Sequence, residues 1–142
     1  MKMANAFNAP GVVIPFGIFS GAAWQPEGKV LHISGQVSQD VDGKIVGVGD
    51  ITAQTRQVLG NISKILDAVG GRMSDIAKVT VFVKDMSLLD EIHQVRSEFF
   101  TLPYPASSLV QVVRLVNSDY LIEIEAVAVI PFDRVSSPIS IL

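Results

Sequence analysis

Two acids near the end of the chain, Glu123 and Glu125, are placed where chemistry is possible. They stand in the run Ile-Glu-Ile-Glu-Ala-Val-Ala (122–128). On a strand they share one face and lie about 6.6 Å apart. Leu121, Val127 and Val129 fall on the same face, which is otherwise apolar. A carboxylate among apolar groups either pairs with a cation or holds its proton to higher pH. An ion pair with Arg114, or with a second copy of the chain, would satisfy it. In a cleft, the same group could act as a general base or position a water.

The other candidates are weaker. His32 and His93 are the only histidines. Neither has a second histidine or an acid at ligand spacing, so no metal site is expected. Ser34-Gly35 and Ser107-Ser108 offer hydroxyls and backbone groups, but nothing in the order suggests a Ser-His-Asp triad. Gly47-Val-Gly49 is too short for a phosphate-binding loop and reads as a turn. Asp85 follows a strand and reads as a solvated loop acid, although strand ends often carry binding groups. With 0 cysteines, disulfides, thiolate metal sites and a cysteine nucleophile are excluded.

Several elements must position these residues. Val12 to Ser20, interrupted by Pro15, reads as an edge strand or extended segment after an irregular stretch from Met1 to Pro10. Lys29 to Ser38 reads as a strand, with Gly35 a bulge or a point of close backbone approach. Asp42-Gly43 signals a hairpin, with Lys44 to Val48 as the returning strand. Asp50 to Val69 carries Ile51, Val58, Leu59, Ile62, Ile65, Leu66 and Val69 at helical spacing, with Gln54 among the residues off that stripe. Asp50 can cap its start, and Gly70-Gly71 can end it.

Ala77 to Lys84 alternates as a strand, with Val79, Val81 and Val83 on one face. Ser87 to Phe100 reads as a second helix, capped by Ser87 with Glu91 as its capping-box partner, and stopped by Pro103 and Pro105. Ser107 to Leu115 and Tyr120 to Ile130 read as strands joined at Asn117-Ser118-Asp119 and paired antiparallel. The fold class is α+β: a small mixed sheet with two helices on one face. Nothing in the chain remains to cover the other face, yet the last strand is largely apolar on both sides. A strand apolar on both sides is buried on both sides, and another copy of the chain is the simplest cover.

Composition agrees. The 142 residues are 49% hydrophobic and 18% charged, which rules out disorder and suits one domain. That domain is expected to span 1–142, with a core of about 10–131 and a loose tail over 132–142. Net charge is −3 and the pI is about 5.2, against a basic nucleic-acid footprint. No apolar run reaches the roughly 20 residues of a membrane span. The absence of cysteine fits a cytoplasmic protein.

Five segments together resemble the reactive-intermediate deaminase family, Rid or YjgF. They are Ser-Gly-Gln (34–36), Gln-Thr-Arg-Gln-Val-Leu-Gly-Asn-Ile (54–62), Val-Thr-Val-Phe-Val-Lys-Asp (79–85), Phe-Phe (99–100) with Pro-Ala-Ser-Ser (105–108), and the 122–128 run. The resemblance spans about residues 10 to 130. It implies a chorismate-mutase-like fold and a homotrimer whose sheets form a central barrel, with ligand clefts between subunits. It further implies hydrolysis of a small enamine or imine to a carbonyl compound and ammonia, with no metal or cofactor. By the same resemblance Glu123 places the attacking water, Ser34 and Gly35 line the cleft, and Ser87 supplies a loop residue.

Three positions depart from the family pattern. Ser107 stands where the substrate-binding arginine of Pro-Ala-Arg-Ser would be. Phe16 replaces a cleft tyrosine, and Leu109 replaces a small residue or cysteine. Each change makes the cleft less polar. A neutral or apolar ligand is therefore expected in place of a 2-imino acid. A non-catalytic ligand-binding or regulatory role is the alternative. The ribonuclease or translation-inhibitor activity attached to the family is disfavoured by the acidic balance.

Overall fold

The computed structural model of the protein describes residues 5–138 and 140. Its elements are β1 (Ala6–Phe7), β2 (Ala22–Ala23), β3 (Lys29–Gln36), α1 (Ile51–Asp67), β4 (Ile76–Val83), α2 (Leu89–Phe99), β5 (Ala106–Gln111) and β6 (Ile122–Ile130). Short 3₁₀ turns at Met73–Asp75 and Met86–Leu88 lead into β4 and α2.

The helices form where the apolar spacing is helical. Val58, Leu59, Ile62 and Leu66 of α1 and Ile92 and Val95 of α2 are buried. They pack on Val79, Val81 and Val83 of β4 and on Ile122, Ile124, Ala126 and Ala128 of β6. Asp50 caps α1, its Oδ1 accepting from the Ala53 N–H at 3.0 Å. Gly70, at φ 78°, turns the chain just after the helix. The cap before α2 differs from expectation. The Asp85 carboxylate accepts from the Ser87 N–H at 2.9 Å and from its hydroxyl at 2.7 Å. Asp85 is therefore the capping acid of the 3₁₀ turn, and Ser87 does not cap the helix.

The main sheet is mixed, in the order β3-β6-β4-β5. The β3–β6 and β6–β4 pairs are antiparallel, and β4 and β5 run parallel, joined through α2. The expected β5–β6 hairpin is thus corrected, because β4 lies between those two strands. A short turn at 117–119 suggests a hairpin locally. The long-range ladder with β4, whose Val79, Val81 and Val83 bury against the helices, sets the order instead.

Three further expectations change. Val12 to Ser20 is not a strand, apart from a bridge between Ser20 and Ala106, while β1 and β2 pair across it. The expected returning strand from Lys44 to Val48 reduces to a bridge between Gln39 and Ile45. There Gln57 and Asn61 of α1 donate to the Gln39 carbonyl at 3.1 and 3.0 Å, taking up the group that a longer hairpin would pair. The segment after 131 is not loose as far as Ser136. The Arg134 guanidinium grips Asp75 at 2.6 Å and the Gly70 carbonyl at 2.9 Å, and the Ser136 N–H donates to the Val69 carbonyl. The N-terminal residues 1–4 and the tail residues 139, 141 and 142 lie outside the described residues.

Both helices occupy one face of the sheet, as expected. The register places Val30, His32, Thr80, Phe82, Glu123, Glu125 and Val127 on the other. Among the described residues no helix is long and apolar enough to cross a membrane.

Candidate functional site

The sequence-predicted residues divide into two groups, one on each side of the sheet. On the open face, β3 is irregular between Ile33 and Gln36 where it meets β6. This bulge carries Ser34 and Gly35, both exposed. The half-buried Glu123 lies against it. A Cβ at Gly35 would overlap the Glu123 carboxylate, so only glycine lets the acid sit there. The Ser34 carbonyl accepts from the Gln36 side chain at 3.1 Å. Among the described residues Glu123 has no ion-pair partner, and Arg114 is exposed. The Arg114 pairing considered from sequence is thereby removed. Glu125 on the same face is exposed.

On the helix side, Ser107 and Leu109 face inward from β5, in register with Val79 and Val81. Between them and α2 lies a cavity of about 230 Å³. Arg96, Ser107 and Leu109 line it, with His93, Met86 and the wholly exposed Phe16 also on its wall. Ser87 is not in this lining; its hydroxyl is held by Asp85 instead. A larger groove of about 820 Å³ runs past Trp24, Arg72 and Arg134. It contains none of the sequence-predicted site residues, and its Arg134 is engaged by Asp75.

Arg96 is the residue that sequence reasoning missed. It is only 1% exposed, and its Nη2 donates to the Ser107 Oγ at 3.1 Å. Among the described residues its Nη1 is buried without a partner. Burial lowers its pKa to about 10, which still leaves a cation at neutral pH. One turn back, the His93 Nδ1 is likewise buried and unpartnered. Burial holds the His93 pKa below its ordinary value, Arg96 pushes the same way, and Asp90 opposes them. A signal was available: Arg96 sits four residues after Ile92 and three before Phe99, on the buried stripe of α2. The Arg96 guanidinium thus reaches Ser107 from the facing helix.

Gln54 was missed for the same reason. Expected off the apolar stripe, it is fully buried. Its amide donates to the Gly47 and Asp119 carbonyls at 3.1 and 2.8 Å and accepts from the Leu121 N–H at 2.8 Å. This amide joins the loop before α1 to the turn that leads into β6, the strand carrying Glu123.

Among the described residues no three His, Asp or Glu side chains gather where they could hold a metal. The open-face group can hold and polarise a water through a carboxylate that has a free acceptor oxygen. The helix-side group offers a walled space with a buried cation.

The chain is similar to known proteins along most of its length. The endoribonuclease L-PSP family pattern matches residues 14–130. A RutC family protein of Pyrococcus horikoshii is 44% identical over 121 residues, 85% of this chain and 91% of that protein. A 2-iminobutanoate/2-iminopropanoate deaminase of Salmonella typhimurium is 39% identical over 126 residues, 86% and 92% of the two chains. Among solved structures, a Rid-family protein of unknown function from Yersinia pestis superposes with a TM-score of 0.81. It is 34% identical, over 88% of this chain and 97% of that one.

Proposed function

The chain belongs to the endoribonuclease L-PSP family, known also as the Rid or YjgF family, and from that premise we propose that it hydrolyses a small enamine or imine in clefts between copies of itself. Deaminase names recur among its relatives. The observation that carries the reading is the seat of Glu123: a carboxylate with no ion-pair partner among the described residues, held against a glycine bulge that leaves no room for a side chain.

In the proposed reaction, water attacks the C=N carbon, and an enamine first gains a proton at carbon and loses one from nitrogen to become the imine. Glu123 accepts a proton from the attacking water and returns it to nitrogen. Glu123 then takes the hydroxyl proton of the resulting carbinolamine and passes it to nitrogen as the C–N bond breaks, releasing ammonia and leaving a carbonyl. No redox change occurs, and no group beyond the carboxylate and the backbone at Ser34 and Gly35 is required for the proton transfers.

The separation of the two residue groups supports an intersubunit cleft. Glu123, Ser34 and Gly35 lie on one face of the sheet, and Ser107, Leu109 and Phe16 belong to the other side. A single copy does not bring them together. A second copy presenting its β5 edge to the open face of the first would do so. It would also cover Phe82 and Val127. We take the assembly to be a homotrimer.

Two measurements test this. Solution mass should be three times that of the chain. Freshly generated 2-iminopropanoate, or an imine lacking a carboxylate, should lose ammonia faster with the protein than without it. A folded trimer that accelerates neither would overturn the catalytic reading in favour of simple ligand binding. A stable monomer at micromolar concentration would overturn the intersubunit cleft.

A further inference from the structure

One stretch of the chain, residues 54–62 of α1, contributes nothing to either residue group. It carries three amide side chains, Gln54, Gln57 and Asn61, at spacings of three and four that set them along one face of the helix. A buried or half-buried amide is costly unless its donors and its acceptor are used. All three are used, on backbone groups and on one another.

Their targets are the ends of the two strands that seat Glu123. β3 stops at Gln36, so the carbonyls that follow it lie outside the sheet ladder. The Asn61 Nδ2 donates to the Gln39 carbonyl at 3.0 Å and, more weakly, to the Val37 carbonyl at 3.4 Å. The Gln57 Nε2 donates to the same Gln39 carbonyl at 3.1 Å and to the Asn61 Oδ1 at 2.9 Å, which fixes the way the Asn61 amide faces. Further toward the start of the helix, Gln54 holds the Asp119 carbonyl and the Leu121 N–H, both at 2.8 Å. Val37 stands two residues after Gly35, and Leu121 stands two before Glu123. The bulge and the acid that rests on it are thus tied to one rigid helix, each through its own strand. The tie matters here because the β3–β6 ladder is irregular between Ile33 and Gln36, where regular pairing would otherwise set the spacing.

We propose that Asn61, braced by Gln57, is a positioning residue for Glu123. By holding the chain just beyond the bulge, it sets where the Gly35 backbone stands and so where the Glu123 carboxylate can rest. It acts through Gly35 and touches no substrate. The proposal rests on the reading of Glu123 as the acid that places water, but the seat can be observed without turnover. Loss of Asn61 leaves the fold intact: the Gln39 carbonyl keeps Gln57, and the Val37 carbonyl keeps the Gln39 N–H at 2.8 Å.

The test compares Asn61→Leu, which keeps the side-chain volume and removes the donor, with Arg56→Ala as a control on the same helix, where Arg56 is engaged by Glu98 of α2. The first readout is the carboxyl carbon resonance of Glu123 in full-length protein labelled with ¹³C-glutamate, assigned by its loss in Glu123→Gln. It should move in Asn61→Leu and stay in place in Arg56→Ala. The second is turnover of freshly generated 2-iminopropanoate. Asn61→Leu should lower kcat by roughly 10- to 100-fold, the scale of a small misplacement of a reacting group, with KM little changed. In the Glu123→Gln background the same substitution should cost nothing further, since the group it positions is already disabled. An unmoved Glu123 resonance would overturn the proposal whatever the activity. An equal loss of turnover in both backgrounds would overturn it as well, showing general damage to the fold. A wild type that turns over no imine removes the catalytic reading and leaves the resonance to decide whether Asn61 holds the seat.

Discussion

Gly35 and Glu123 meet across the irregular part of the β3–β6 ladder, so closely that a Cβ on Gly35 would stand 2.8 Å from the Glu123 Cδ. Real side chains do not tolerate such an approach. The glutamate is long and half-buried, so its tip would move before the sheet does. Gly35→Ala should therefore melt within a few degrees of wild type while imine turnover falls sharply. Paired thermal denaturation and ammonia-release assays check this. A variant as active as wild type would mean that the carboxylate position does not matter.

Glu123→Gln keeps the shape of the side chain and removes its capacity to take a proton from water. Turnover should drop by roughly 10²- to 10⁴-fold, the usual range for loss of a general base. KM should change little, because the ligand is held elsewhere. Steady-state kinetics on one imine substrate separates the two parameters.

Gln54 makes three hydrogen bonds to backbone groups of two loops with no exposure of its own. Gln54→Leu would take the partner from the Leu121 N–H and the Asp119 carbonyl, while the Gly47 carbonyl keeps the Asp50 N–H at 2.9 Å. Each buried unsatisfied group costs about 1–3 kcal/mol. A loss of at least about 2 kcal/mol is expected in urea unfolding, with catalysis also weakened because Leu121 leads directly into β6. A stability equal to wild type would show that water replaces the amide.

His93 sets a pH dependence of known sign. Its folded-state pKa lies below the unfolded value of about 6.5, chiefly through burial and then through Arg96. The unfolded chain therefore binds more protons in the window below about pH 6.5, and stability falls as pH drops through it. Above that window the histidine is neutral in both states and its contribution is complete. His93→Gln should flatten this part of the curve between pH 7.5 and 5.5, read as unfolding free energy against pH. Identical slopes for the two proteins would contradict it.

Much of the scaffold was legible in the residues. The spacing from Ile51 to Leu66 marked α1, Asp50 marked its cap, and the alternation of Val79, Val81 and Val83 marked the buried face of β4. The bulge at Gly35 and the shared face of Glu123 and Glu125 were also readable, because both follow from backbone periodicity and from glycine's missing Cβ. Strand order was less so. Asn117-Ser118-Asp119 makes a turn whichever strands it joins, and the choice of β4 as the neighbour of both β5 and β6 rests on contacts far apart in the chain.

By itself the sequence determined the helices, the strands, the family resemblance and the acid at 123, since each is encoded in local pattern. Tertiary structure decided how Gln54 and Arg96, polar by type, are partnered in the interior, and that a helix brings a cation to the side of Ser107. A residue's polarity states what its burial costs. Only the partners brought to it by the fold decide whether that cost is met, and at the Arg96 Nη1 the fold leaves it open.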